Sequence, residues 1–207
     1  MKIQIVPRAL LVLLVLLPAS LACQLFSQAL PSQAPSTLPP QPAAVTAAGG
    51  GSEPIRQWAS EAEASSQYGS SDWAASQATG EPNTPECGDT GTAWAAAGKD
   101  TVEWINLYYT RPVYPTEIHI IQTYNPDQVT QVDLIDMQGQ FVTVYTGQPR
   151  EVGDACPYTL SISVSRSDIL AQGVRVTIDQ SIRADWNEID SVEIVGVAGE
   201  GTPVRPK

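Results

Sequence analysis

An all-β fold, an antiparallel β-sandwich of the jelly-roll kind, is what this 207-residue sequence predicts. Three observations carry that expectation. Apolar residues alternate with polar ones over short runs of about five to eight residues, the period of a half-buried strand. Gly, Pro, Asn and Asp bound those runs, as turns require. No stretch of about twelve residues carries a helical apolar stripe, so the strands are not interleaved with helices and a parallel sheet is not indicated.

The strands come after two segments of different character. Lys2 and Arg8 make a positive start, and Ala9 to Leu17 is an unbroken apolar run ended by Pro18. That run is too short to span a bilayer and has the length of a signal-peptide core. Ser20-Leu21-Ala22-Cys23 follows and resembles the lipobox of bacterial lipoproteins, in which the cysteine is lipidated and becomes the new N-terminus. Residues 1–22 are therefore expected to be a lipoprotein signal peptide with Cys23 as the lipidation site; the alternative is ordinary cleavage nearby, with Cys23 incidental. From Gln24 to Ser52 there is no charged residue, five prolines fall between Pro31 and Pro42, and Gly49-Gly50-Gly51 ends the run. Residues 23–52 cannot bury enough apolar surface to offset their ordering entropy, and are expected to form a disordered tether.

Residues 53–198 form the expected domain, and 199–207 a flexible tail. Thirteen of the 14 aromatic residues and 21 of the 22 acidic ones fall within the domain. Ile105, Leu107 and Tyr109 share one face of the run from Val102 to Tyr109. Ile118 and Ile120 alternate with Glu117 and His119. Val132 and Leu134 alternate with Gln131 and Asp133, and a Met137-Gln138-Gly139-Gln140 turn leads into Phe141 to Tyr145. Leu160, Ile162 and Val164 alternate with serines, and Val174, Val176 and Ile178 with Arg175, Thr177 and Asp179. The last run, Ile189 to Val195, has Val192 and Ile194 in phase with Asp190. A domain of this size holds a substantial core.

Charge and cysteine usage narrow the function. With 11 basic against 22 acidic side chains the net charge is −11, so a phosphate backbone is repelled and nucleic-acid binding is not expected. With Cys23 set aside, Cys87 and Cys156 are an even pair in an oxidising setting. They either bridge, closing a loop of about 70 residues for roughly 4 kcal/mol on the chain-entropy account, or remain two free thiols. Neither has a partner at zinc-ligand spacing.

Several segments, taken in order, resemble the discoidin-like (coagulation factor 5/8 type C-like) domains. They are Ala64-Ser65-Ser66-Gln67-Tyr68, Ala78-Thr79-Gly80-Glu81-Pro82-Asn83 and Thr92-Ala93-Trp94. Next come Glu103-Trp104-Ile105-Asn106-Leu107, then Pro112 to Ile118 as a loop leading into the next strand, and Thr123-Tyr124-Asn125-Pro126. Trp186-Asn187-Glu188-Ile189-Asp190-Ser191-Val192-Glu193-Ile194 closes the set. The resemblance spans most of Trp58 to Val197 and implies the galactose-binding-like β-sandwich. One departure is that discoidin domains often tie their two ends with a disulfide, whereas Cys87 and Cys156 lie mid-chain. The resemblance also implies a structural Ca2+ site, with Asp72, Glu188 and Asp190 as acidic ligands and Ser70 and Ser71 adding oxygens, the donor type calcium requires. The alternative is that Asp190 caps a turn and Glu188 lies on a solvated strand face. No other cofactor is expected.

The residues suited to chemistry are few. The single His119 lies within an Ile-rich run and reads as a strand-face residue; no Gly-x-Ser-x-Gly elbow and no phosphate-binding glycine loop occurs. No catalytic residue is assigned. Sugar rings stack on aromatic faces while polar neighbours fix their hydroxyls. Tyr124, Asn125, Arg183, Trp186 and Asn187 stand at strand ends, where the loops of a sandwich gather, and are the candidate ligand contacts. Trp73, Trp94 and Trp104 read as core or core-edge residues. The expectation is an exported, non-catalytic binding module, lipid-anchored at the cell surface or the periplasmic face of the membrane and touching that membrane only through the anchor. Its expected ligand is carbohydrate. The alternatives are a protein–protein adhesion or scaffolding module that engages a cell-surface protein, and a glycoside hydrolase using a carboxylate pair.

Overall fold

The computed structural model describes residues 53–153, 155–165 and 168–202. The signal segment, Cys23 and the tether lie outside the described residues. Among the described residues nine strands follow in order: β1 (Ile55–Trp58), β2 (Glu61–Ala64), β3 (Trp94–Ala95), β4 (Val102–Tyr124), β5 (Val129–Asp136), β6 (Phe141–Thr146), β7 (Tyr158–Ser163), β8 (Ala171–Asp179) and β9 (Glu188–Ala198). A 3-10 turn, Ala75–Ala78, lies between β2 and β3.

All the strand pairs are antiparallel, and one strand belongs to both layers. The first part of β4 pairs with β2 and β8, and β8 continues through β5 to β6. The second part of β4 pairs with β7 and β9, and β9 carries β1 and β3. The ladder shifts between Tyr108 and Val113, where β4 leaves one layer and enters the other. The chain is thus an antiparallel β-sandwich with continuous hydrogen bonding through β4. The expected loop at Pro112–Pro115 is instead strand. Pro115 has no N–H to contribute, and the register slips immediately after it.

The core follows the alternation. Ile105 faces Val176 and Leu107 faces Val174 in one layer; Ile118 faces Ile162 and Ile194, and Ile120 faces Leu160 and Val192, in the other. All are buried in one cluster. At roughly 1.5–3 kcal/mol for each such side chain, this burial is the main force holding the layers together. Trp94 is fully buried, and its Nε1–H donates to the Ser66 carbonyl at 3.1 Å. The turn after β5 is as expected: Gly139 has φ 78°, which only glycine adopts freely, and the Asp136 carboxylate accepts from the N–H groups of Gln138 and Gln140 at 2.8 Å.

Polar residues on the outer faces form closed sets. Arg175 lies between the rings of Trp104 and Phe141, at 4.2 and 3.9 Å, and donates through Nε to Asn106 at 2.7 Å. Burial lowers its pKa. Asn106 and the Tyr108 hydroxyl donate to Glu63 on β2. These bonds explain why the low-propensity run Glu61–Ala64 is a strand: its partner, not its own residues, orders it. In the other layer His119 lies on the outer face, 3.0 Å from both Ser161 Oγ and Glu117 Oε2, and Arg56 forks onto Glu193.

Two single-residue bulges sit near the same end of the β4–β9 pair. Ile121 pairs with Ser191 and Gln122 with Ile189, so Asp190 is an extra residue in β9. Gln122 pairs with Ile189 and Tyr124 with Glu188, so Thr123 is an extra residue in β4. The first bulge changes the phase of β9: Ile189 enters the core on one side of it, and Val192 and Ile194 on the other.

β9 also passes close to β4 at Gly196, where a Cβ would come within 2.4 Å of the Tyr114 carbonyl oxygen and 2.8 Å of Pro115 Cα. Gly196→Ala is expected to destabilise the domain by about 1–3 kcal/mol or more through this backbone overlap, read as a lower urea midpoint at unchanged slope.

Candidate functional site

The loops after β2, around Cys87, after β3 and before β9 meet at one end of the sandwich. They frame a concave site, open to solvent and lined by Tyr68, Trp73, Asp89, Ala95, Trp186 and Glu188. The Tyr68 ring stands edge-on to both indoles, 5.4 Å from Trp73 at 78° and 5.6 Å from Trp186 at 83°. Tyr68 is 57 % exposed, so this wall is open on its outer side.

Each wall is held from below. The Tyr68 N–H donates to the Ala95 carbonyl at 2.8 Å. Trp73 has φ 54°, a left-handed conformation that costs a bulky residue about 1–3 kcal/mol. It is clamped on both sides: its N–H donates to Gly91 at 3.0 Å, and its carbonyl accepts from Ala95 at 3.3 Å. Gly91 is a close approach, because a Cβ there would lie 2.8 Å from Asp72 Cβ. The Trp186 N–H donates to Asp185 at 3.0 Å, its Nε1–H donates to the Ala96 carbonyl at 3.1 Å, and Lys99 Nζ lies 5.4 Å from its ring centroid.

The floor is acidic. Glu188 is almost fully buried and accepts from Trp73 Nε1–H and from the Thr90 N–H, each at 3.1 Å. Burial is the largest influence on it and pushes its pKa up to about 8. Thr90 and Trp73 oppose this by stabilising the anion, while the hydrogen-bonded carboxyl of Asp89 reinforces it. Glu188 thus retains a proton at neutral pH.

The two bulges hold the loop that supplies Asp89 and Thr90. The Thr123 carbonyl accepts from the Gly88 N–H at 3.0 Å. The displaced Asp190 accepts from the N–H groups of Asn83 and Thr84 at 3.4 Å and from the Thr84 hydroxyl at 2.8 Å. Cys87 and Cys156 are bridged, with Cα atoms 5.7 Å apart, which ties the same loop to the segment before β7.

The expected site residues have varied places. Trp186 lines the cavity. Tyr124 donates its hydroxyl to Asp185 at 3.1 Å. Asn125 donates to the carbonyls of Arg183 and Asp185, and Arg183 to those of Pro126 and Arg150. These three brace the loop that carries Trp186 and do not line the cavity. Asn187 is fully buried and so is not a ligand contact. Its N–H donates to Gln180 and its amide to Gln122 and Asn125, and it is not among the residues that line the cavity.

The acidic set also requires correction. Asp72 is exposed, and no group of three or more His, Cys, Asp or Glu side chains that could hold a metal occurs among the described residues. Glu188 and Asp190 receive N–H and O–H donors on both oxygens, where a cation would need their lone pairs. Asp72, Glu188 and Asp190 therefore do not fit as a calcium cage. Glu188 is not on a solvated face either. Trp73, read as core-edge, is a cavity wall, and Tyr68 and Asp89 were not singled out. The signal for Tyr68 and Trp73 was the stretch Tyr68-Gly69-Ser70-Ser71-Asp72-Trp73, two aromatics bracketing a turn; Asp89 had none.

Glu188 makes stability depend on pH. Its folded pKa lies above its unfolded value, so its contribution is complete below about pH 4.5 and declines as pH rises towards about 8. The chain is expected to lose stability from pH 5 to pH 8 with a slope that Glu188→Gln removes, measured by urea unfolding at each pH.

The fold has relatives of known structure. A selenomethionine-labelled mutant of chitosan-binding module 1 from the Paenibacillus sp. IK-5 chitosanase/glucanase is 19 % identical, with TM-score 0.50. The match covers 66 % of this chain and 93 % of that one. The CBM32 of AlyQ, in complex with 4,5-unsaturated mannuronic acid, is 19 % identical with TM-score 0.50, over 68 % of this chain and 97 % of that one. The family 32 CBM of C. perfringens NanJ, in complex with galactose, is 16 % identical with TM-score 0.50, over 68 % and 99 %. These likenesses establish the discoidin-like, galactose-binding-like β-sandwich. Among curated proteins no relative matches the chain. Residues 50–204 match the family described as pappalysin-1, SD scarf domain, C-terminal, and the chain belongs to that family.

Proposed function

We propose that this domain is a non-catalytic carbohydrate-binding module, exported and held at the membrane through a lipid on Cys23 and the tether of residues 23–52. The observation that carries the reading is the open aromatic cavity. Tyr68, Trp73 and Trp186 supply ring surface, with Tyr68 near right angles to each indole, and Asp89 and Glu188 supply oxygens beside them. Rings with a few placed polar groups are what a saccharide needs, since its C–H face packs on an aromatic and its hydroxyls need fixed partners. The three relatives with this fold bind chitosan, an unsaturated mannuronic acid and galactose. Their ligands differ, so they support the class and not a particular sugar. The Cys87–Cys156 bridge accords with an oxidising location outside the cytoplasm.

One observation favours a hydrolase: a carboxyl of raised pKa beside a second carboxyl, as in glycosidase acids. The neighbours that share this fold favour the binding reading, since they are carbohydrate-binding modules.

The test is binding of the purified chain to an array of glycans and insoluble polysaccharides. Tyr68→Ala is the informative variant, because its side chain is exposed and its loss spares the core. It is expected to weaken saturable glycan binding about ten-fold or more while leaving the thermal midpoint near wild type. Capture of a cell-surface protein with no glycan bound would instead establish the adhesion reading, and glycan turnover the hydrolase.

A further inference from the structure

We propose that the Cys87–Cys156 bridge is a redox latch on the cavity: its reduction by a dithiol frees the loop that carries Asp89 while the sandwich stays folded. The latch itself does not depend on the carbohydrate reading above; its effect on glycan affinity does.

The bridge lies where it opens without disturbing the core. Neither cysteine belongs to a strand or to the core cluster. Cys87 sits between the 3-10 turn and β3, and Cys156 lies two residues before β7. Breaking the bridge therefore breaks no strand pairing. Cys87 is exposed and Cys156 half-buried. Thiol–disulfide exchange requires access to one of the two sulfurs, and Cys87 offers it.

The loop around Cys87 is held at its ends and latched in its middle. Asn83 and Thr84 donate to Asp190, and the Thr90 N–H donates to Glu188 at 3.1 Å. Between these anchors Pro85, Glu86 and Cys87 are all exposed, and among the described residues no hydrogen bond joins them to the rest. The Gly88 N–H reaches the Thr123 carbonyl at 3.0 Å. The disulfide and that one hydrogen bond position the segment leading into Asp89, the cavity-lining residue two places beyond Cys87. A single backbone hydrogen bond at an open loop does not hold four residues against the conformational entropy they regain.

The Thr123 carbonyl also serves the opened state. It lies 3.1 Å from Cys156 Sγ, so the thiol released there has an acceptor already in place. The step itself is an exchange. A thiolate of the reductant attacks Cys87 Sγ, the S–S bond breaks, and Cys156 leaves as a thiolate that takes up a proton. The second thiol of the reductant attacks the mixed disulfide and gives up its proton to Cys87 as that thiol is released. Two electrons pass to the bridge, and the reductant departs as a disulfide. The partner this chemistry calls for is a dithiol oxidoreductase.

The test uses dithiothreitol on the full chain without denaturant. Alkylation with peptide mapping reads Cys87 and Cys156 separately from Cys23, and 15N relaxation reads the backbone. Dithiothreitol is expected to open the bridge in the folded chain. Order parameters over residues 86–89 are then expected to fall from about 0.85 to below about 0.6, while those of β4, β8 and β9 hold. Cys87→Ser with Cys156→Ser is expected to show the loose loop without reductant; if that variant does not fold, the reduced native chain carries the test. Glycans that the oxidised chain binds are expected to bind the reduced chain about five-fold or more weakly and to recover on reoxidation. A bridge that opens only in urea, a loop that stays ordered after reduction, or a core that melts with it would each overturn the latch. A loosened loop with unchanged glycan affinity would overturn its link to the cavity. A loop that loosens in a chain that binds no glycan would support the latch and overturn the carbohydrate reading alone.

Discussion

Two extra residues, Thr123 in β4 and Asp190 in β9, are the constraint on which the loop end of this molecule depends. A regular antiparallel pair would consume the backbone groups at this end and leave nothing to hold a long loop. The bulges turn the Thr123 carbonyl and the Asp190 carboxylate out of the ladder. Between them these two groups engage Asn83, Thr84 and Gly88. The disulfide at Cys87 then anchors the middle of the same loop. Thr90 and Asp89 follow directly, and they set the environment of Glu188. The chain of cause runs from strand register to loop position to the charge state of the cavity floor.

The cavity combines groups that would each be unfavourable alone. A left-handed tryptophan, a buried carboxyl and an exposed aromatic ring all cost free energy in isolation. Here they share partners. The Trp73 backbone is clamped by Gly91 and Ala95, and its indole supplies one of the two donors that Glu188 needs. Tyr68 leans on both indoles and keeps them apart. The stable sandwich beneath, with its core running continuously through β4, is what sustains this local cost. The same division appears at the braces: Tyr124 spends its hydroxyl on the Asp185 carboxylate, Asn125, Arg183 and Asn187 donate to loop carbonyls, and Trp186 alone of the five expected contacts lines the cavity.

Most of the fold was legible because burial on one face imposes a period of two. Ile105/Leu107, Ile118/Ile120, Val174/Val176 and Leu160/Ile162 declare their strands without any partner being known. Glu61–Ala64 and Trp94–Ala95 do not, being too short or too polar, and they are strands because β4 and β9 offer open edges. Pro112 and Pro115 read as a loop because proline has no ladder N–H, yet β4 tolerates them where it changes layers. At the site, Trp186 was legible as an aromatic at a strand end. Asn187 was misplaced because its neighbour in sequence points the opposite way, into the buried end of the sandwich. The acidic run Glu188–Asp190 was read as a calcium set because composition records how many carboxylates there are and not which donors already face them.

By itself, the sequence determined the layered antiparallel class, the strands that form the core, the acidic character of the domain and the pairing available to its two cysteines. Those properties are local or additive: alternation, charge and residue counts do not depend on where distant segments meet. Only the tertiary structure decided that Tyr68, Trp73, Asp89, Trp186 and Glu188 form one cavity, and that Glu188 holds its proton there. These residues come from three separate stretches of chain. Their meeting is set by two one-residue slips in strand register, which shift every contact beyond them and leave no periodic trace in the residues themselves.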